Sequence, residues 1–248
     1  MYDPVERAEQ VATLVCQGEE RKYHRFRAAR FYGGIATADC VGCCLGCAFC
    51  WSWREVAHPE QYGRFYPPDE VARRLVGIAR RRGYRQVRIS GNEPTICRAH
   101  LVKVIAAIPR DLTFILETNG ILLGHDPAYA RELAAFPNLY VRVGLKGTDG
   151  PEFSRLTGAV PEGFGLQLDA LAHLFRAGAN VRAAVMVSFS PEAHVRALRE
   201  RLAAIAPPLA DIEVEELVLY GDVAERLRRA GLGYGTAHTP RHIPREQV

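Results

Sequence analysis

Along most of the chain, short apolar, β-branched runs alternate with longer stretches in which apolar positions recur every three or four residues. The first pattern suits strands buried in a sheet, the second amphipathic helices. It predicts strands over residues 34–38, 86–90, 113–117, 139–145, 181–189 and 212–220. Between them it predicts helices over 69–82, 99–108, 127–135, 164–177 and 191–205, with Gly83 ending the first. An amphipathic segment over 4–17 with Gly18 as C-cap precedes the alternation, and a short helix over 223–230, ended by Gly231, follows it. Such alternation implies βαβ units and a parallel sheet. The expected fold is therefore α/β, a partial (β/α)6 parallel barrel. It forms one domain, with 1–31 as an N-terminal helical extension, 32–231 as the barrel and 232–248 as a tail that is loop or lid.

In a parallel α/β barrel the chemistry gathers at the carboxyl ends of the strands. The distinctive polar segments all fall there. A cysteine-rich loop follows the first strand, Gly91-Asn92-Glu93-Pro94 the second, Thr118-Asn119-Gly120 the third and Lys146-Gly147-Thr148 the fourth.

The 248 residues are 48% hydrophobic, enough to build a core without a disulfide framework, and seven cysteines is an odd count for one. No run approaches the roughly 18 apolar residues of a membrane span, and the opening residues lack a signal-peptide core. The expected location is cytoplasmic, with no membrane partner. A net charge of +4 falls short of a dedicated nucleic-acid module, so nucleic acid is not indicated. Of 32 basic residues only Lys22, Lys103 and Lys146 are lysine, which singles each of them out. The run Arg80-Arg81-Arg82-Gly83-Tyr84-Arg85 reads as a solvated helix end favoured by the helix dipole, or as a dock for an acidic electron donor.

Cys43, Cys47 and Cys50 stand at C-x3-C-x2-C spacing, with Phe49 just before the last. Three thiolates on one short loop can each take one iron of a cubane cluster, and no fourth cysteine lies at ferredoxin-like spacing downstream. One iron is then open to another ligand. A shifted register, Cys40/Cys44/Cys47, satisfies the same arithmetic but puts Gly46 in the aromatic's place. A structural zinc site is a further reading of the pairs Cys40/Cys43 and Cys47/Cys50, although only three residues separate them.

The segment Cys43-Cys44-Leu45-Gly46-Cys47-Ala48-Phe49-Cys50 resembles the signature of the radical S-adenosylmethionine (radical SAM) superfamily, and the likeness extends over about residues 32–220. It implies a [4Fe-4S] cluster on Cys43, Cys47 and Cys50, and S-adenosylmethionine (SAM) on the open iron. Gly91-Asn92-Glu93-Pro94 sits where the superfamily carries Gly-Gly-Glu-Pro, which receives the methionyl amino group. Asn92 replaces the second glycine, and asparagine tolerates left-handed backbone angles. Lys146 ends a strand similar to the Asp-x-Lys strand of pyruvate formate-lyase activating enzymes, where the lysine pairs with the methionyl carboxylate. Gly144 stands in the aspartate's place. Glu117-Thr118-Asn119-Gly120 is similar to a segment of activating enzymes and of 7-carboxy-7-deazaguanine synthases, which makes Thr118 and Asn119 candidates for ribose or substrate contacts, beside a purely structural turn.

Phe49, Met186 and Tyr220 are candidates to border the adenine, and equally for core. Trp51, Trp53 and Arg54 are placed to shield the cluster or meet a flavodoxin- or ferredoxin-type electron donor. Cys97, just before a helix, reads as a packed free thiol or as a hydrogen donor, and Cys16, Cys40 and Cys44 as structural. The absence of cysteine after Cys97 argues against a further cluster domain. The resemblance implies an enzyme that cleaves SAM to a 5′-deoxyadenosyl radical and abstracts hydrogen from a small molecule or cofactor precursor. Two other outcomes stay open. One is an activase placing a glycyl radical on a partner protein, and the other is a non-catalytic electron-transfer or metal-binding module.

Overall fold

Why one face of each central strand is apolar and the other polar is clearest in the strand Leu139–Leu145. Leu139, Val141, Val143 and Leu145 are buried, whereas Tyr140 and Arg142 point to the opposite, partly open side. A period of two puts alternate side chains on opposite faces of a sheet. The apolar face packs under helices and the polar face lines a lumen.

A computed structural model describes residues 1–244. The chain opens with α1 (Pro4–Val15), β1 (Cys16–Gln17), β2 (Glu20–Ala29) and β3 (Ile35–Cys40). Next come α2 (Trp53–Ala57), β4 (Arg64–Tyr66), α3 (Pro68–Arg82), β5 (Gln86–Ser90), α4 (Arg98–Ala106) and β6 (Thr113–Thr118). The middle holds α5 (Ile121–His125), α6 (Pro127–Ala134), β7 (Leu139–Leu145), α7 (Gly150–Thr157), α8 (Gly163–Arg176), β8 (Asn180–Met186) and α9 (Glu192–Ile205). It closes with β9 (Glu213–Glu215), β10 (Leu217–Val218), α10 (Val223–Arg229) and β11 (Ala237–His238).

The main sheet runs β1-β2-β3-β5-β6-β7-β8-β9, with β4 paired to β2. From β3 to β9 each strand is parallel to the next. Successive strands as neighbours, joined by helices, make a (β/α) barrel. The path ends at β9 without returning to β1, so the barrel is partial. Its core lies between the outer sheet face (Val87, Ile89, Phe114, Leu116) and helices α3 and α4 (Leu75, Leu101). Each such side chain contributes about 1.5–3 kcal/mol when fully buried.

The N-terminal region departs from the helical extension expected there. The helix stops at Val15, because Cys16 and Gln17 turn back through Gly18 to pair with Arg21 and Glu20. β2 then adds an antiparallel strand to β3. The strand expected over 34–38 runs on to Cys40, and the one expected over 212–220 breaks at Glu216, its second half pairing with β11. The tail expected as loop or lid thus holds a strand, while 245–248 lie outside the described residues. Cys97 is not a free thiol, being bonded to Cys16 with 5.9 Å between the Cα atoms. The β1–β2 hairpin brings the two together by docking on α4, where the Tyr23 hydroxyl and His100 Nε2 are 2.9 Å apart and the Glu19 carbonyl meets His100 Nδ1 at 2.8 Å. Among the described residues no helix is long and apolar enough to cross a membrane.

Candidate active site

Beyond the carboxyl end of β3 the chain forms the loop that carries the cysteines, on one wall of a cavity of about 1130 Å³. Cys43, Cys47 and Cys50 line this cavity. Cys40 and Cys44 are fully buried and are not among its lining residues. Cys40 lies against Arg21, and the Sγ of Cys44 accepts from Asn119 Nδ2 at 3.2 Å. The thiols of the first register therefore share one cavity, whereas of the shifted register only Cys47 lines it.

The loop is pinned from outside. Gly46 N–H donates to the Thr157 carbonyl at 3.2 Å and to the Tyr2 hydroxyl at 2.8 Å, and Ala48 N–H to the Leu156 carbonyl at 2.9 Å. Arg226 of α10 donates from Nη1 to the Ala48 carbonyl at 2.8 Å and from Nη2 to the Cys50 carbonyl, with its guanidinium 5.1 Å from the Trp53 ring centre. The sequence carries no sign of this clasp, since Arg226 is one of many arginines and lies 176 residues beyond Cys50.

Burial pushes the Cys50 thiol up to about 12 and Cys47 higher still. Cys44, hydrogen-bonded to Cys43, holds Cys43 below the usual thiol range. Metal binding thus competes with protons at two of the three sulfurs and must displace them. Among the described residues no three His, Cys, Asp or Glu side chains converge tightly enough to hold one ion. A cubane needs no such convergence, because each thiolate takes a different iron. Three thiols spread around one wall of a roomy cavity fit that group.

Gly91, Asn92 and Glu93 line the same cavity and abut the start of the cysteine loop, where Glu93 N–H donates to the Gly42 carbonyl at 3.0 Å. Gly91 has φ +102°, and a Cβ there would sit 3.1 Å from the Asp39 Cα, so only glycine fits. Asn92 does not use the left-handed backbone expected of it. Its side chain works instead, with Oδ1 accepting from Gly42 N–H at 2.6 Å and Nδ2 donating to the Gly91 carbonyl at 2.9 Å. Glu93 is 1% exposed. Its carboxylate accepts from Thr95 N–H at 3.1 Å, Thr95 Oγ1 at 2.7 Å, Thr118 Oγ1 at 2.6 Å and Asn119 N–H at 2.7 Å. Three of these donors meet Oε1 and one meets Oε2, so Glu93 braces the second rim loop to the third. Pro94 opens a buried short turn behind it.

Gln167 is a brace that the sequence reading missed. From α8 its Nε2 donates to the carbonyls of Asn119 at 2.6 Å and Gly144 at 3.0 Å, while its Oε1 accepts from Lys146 N–H at 3.1 Å. The available signal was a polar residue on the apolar stripe Phe164, Leu168, Leu171.

Lys146 lines the cavity, and its positive charge acts on Cys47 and Cys50. Among the described residues its ammonium has no hydrogen-bond or ion-pair partner. A Cβ on residue 144 would meet Lys146 Nζ at 2.7 Å. Glycine in place of aspartate therefore leaves room for the ammonium to lie over the strand end. Phe49, Met186 and Tyr220 also line the cavity, and all three belong to one apolar cluster with Leu217 and Val223. Deeper in the lumen Arg88 Nη1 is 2.6 Å from Glu117 Oε1. Although burial alone would raise it, Arg88 and Arg142 hold the Glu117 carboxyl down at about 2.

A partial parallel barrel carries at its carboxyl rim a loop of three cavity-facing thiols, with the Lys146 ammonium lining the same cavity. The chain belongs to the Radical SAM superfamily, whose family model matches residues 39–202. Members of this superfamily use a [4Fe-4S] cluster and SAM. Over 118 residues the chain is 29% identical to a probable GTP 3′,8-cyclase of Thermoplasma volcanium, covering 47% of this chain and 33% of that protein. Its fold is similar to Streptococcus suis SuiB bound to SAM, with TM-score 0.56, 16% identity, and coverage of 83% of this chain and 52% of SuiB. It is also similar to HydG, a maturase of the [FeFe]-hydrogenase, with TM-score 0.58, 14% identity, and coverage of 84% and 52%. The chain thus spans a third of the curated relative and about half of each of these structures, and at such identity the structural likeness shows the fold alone.

Proposed function

We propose that Cys43, Cys47 and Cys50 hold the [4Fe-4S] cluster and that the cavity beside them binds SAM. The observation that carries this reading is that these three thiols, with Cys40 and Cys44 outside it, share one cavity with the Lys146 ammonium, which has no partner among the described residues. When bound, the cluster and SAM supply reductive cleavage to a 5′-deoxyadenosyl radical, which takes hydrogen from a substrate.

The chain's own residues do the placing. Lys146 offers a point charge to the methionyl carboxylate. The rim around Gly91 approaches closely enough for backbone carbonyls to receive the amino group, while Glu93 and Asn92 hold that rim in register. Phe49, Met186 and Tyr220 form an apolar wall suited to the adenine, and Thr118 and Asn119 lie between. A single domain serves a small-molecule or cofactor-precursor substrate and takes its electron from a flavodoxin- or ferredoxin-type donor. The strand end Gly144-Leu145-Lys146 and the segment Glu117-Thr118-Asn119-Gly120 support an activating-enzyme-like branch. A glycine of a partner protein is the substrate in its second reading.

Equilibrium dialysis of SAM against reconstituted, unreduced protein tests the assignment. Lys146→Gln is expected to weaken SAM by about tenfold, the worth of one charged hydrogen bond, with iron content unchanged. Equal affinity in the two proteins would remove Lys146 from the site.

A further inference from the structure

The cavity is also lined by arginines of β2 and α2 that have no part in the proposed binding of SAM. Arg25 and Arg27 stand two apart on β2, so both point into the lumen. Beneath them lies Asp39 of β3, wholly buried. Arg27 grips it with two bonds, Nε to Oδ2 at 2.7 Å and Nη2 to Oδ1 at 3.3 Å. Arg25 uses only its Nε on the same carboxylate. A guanidinium carries five N–H groups. Both Nη groups of Arg25 and the Nη1 of Arg27 are therefore left without a protein hydrogen bond among the described residues.

Arg54, exposed on α2, lines the same cavity, and its guanidinium has no hydrogen bond or ion pair among the described residues. The remaining acid on this wall, Glu55, accepts from Ser52 Oγ at 2.9 Å and faces His24 Nδ1 at 3.5 Å. Three guanidinium groups thus meet two carboxylates, and the wall keeps a surplus positive charge with free donors. Trp51, 43% exposed, lies under Arg25 with its ring centre 5.4 Å from the guanidinium carbon.

We propose that Arg25, Arg27 and Arg54 form an anion subsite that holds a carboxylate or phosphate of the substrate, with Asp39 fixing the two β2 arginines in place. This rests on the reading that the methionyl carboxylate goes to Lys146. β2 and β7 are four strand spacings apart, roughly 19 Å along the curved sheet, so the β2 arginines and Lys146 rise from separate strands of the rim. Free guanidinium forks suit planar or tetrahedral oxyanions through paired N–H donors.

Isothermal titration of reconstituted, unreduced, SAM-saturated protein with inorganic pyrophosphate, and separately with malonate, tests this. The wild type is expected to bind at least one, and the tighter of the two shows which oxyanion the subsite prefers. Arg54→Gln and Arg25→Gln are each expected to weaken that binding about tenfold. Both should fold, since Arg54 is exposed and unpaired and Arg27 still grips Asp39 when Arg25 is replaced. Lys146→Gln is expected to weaken SAM and leave the anion bound. No binding of either anion, or unchanged binding in both arginine variants, overturns the subsite. Loss of the anion in Lys146→Gln alone also overturns it, because the anion then occupies the place given to the methionyl carboxylate. Unchanged SAM affinity in Lys146→Gln counts only against the SAM assignment.

Discussion

Alanine at Cys43, Cys47 or Cys50 is expected to abolish cluster assembly, with iron and sulfide after anaerobic reconstitution falling to background. In the proposed site each of these thiols ligates its own iron, and among the described residues no other cysteine lines the cavity. Alanine at Cys40 or Cys44 is expected to leave full loading, because both side chains are turned into the core. Cys40→Ala loses its Arg21 neighbour, and Cys44→Ala loses the Asn119 amide and the hydrogen bond to Cys43. Colorimetric iron and sulfide content, with the cluster absorbance band, reads the whole series. Retained cluster in Cys47→Ala together with loss in Cys44→Ala would mean that the loop ligates in the shifted register.

The second large effect is expected at Glu93. Alanine there leaves the backbone N–H groups of Thr95 and Asn119 buried without acceptors, and the Thr118 hydroxyl without its partner. Unsatisfied buried groups cost about 1–3 kcal/mol each, so a loss on the order of 4 kcal/mol is expected in urea unfolding of the apoprotein. Glu93→Gln keeps the shape but turns one acceptor oxygen into a donor facing protein N–H or O–H groups, and it is expected to recover only part of that loss. A change below about 1 kcal/mol in Glu93→Ala would show that the second and third rim loops are held by something else. SAM affinity should fall with stability, since the same bonds set the spacing between Gly91 and Asn119.

The parts of the fold legible from the sequence are those whose cause is local. The central strands declare themselves because the apolar face must alternate with the lumen face over a few residues. The cysteine spacing is equally local, and the structure adds which of the five nearby thiols face the cavity. β2 was hidden because Glu20-Arg21-Lys22-Tyr23-His24-Arg25-Phe26-Arg27 is too charged to read as a sheet strand. The buried partner that makes those charges acceptable, Asp39, lies 12 to 14 residues away. Arg226 on the cysteine loop, Gln167 between the third and fourth rim segments and the Cys16–Cys97 bond are longer-range still, the last spanning 81 positions. No spacing rule connects such pairs. Glu93 is instructive in another way. Its identity was readable as part of a motif, but whether its carboxylate faces a ligand or the protein is decided by Thr95, Thr118 and Asn119 together.

The most direct test of the account is reduction of the reconstituted protein with dithionite in the presence of SAM, with products followed by mass spectrometry. The account predicts 5′-deoxyadenosine and methionine from the wild type and neither from Cys47→Ala. Intact SAM beside a correctly formed cluster, or tightly bound zinc in place of a cluster, would contradict it.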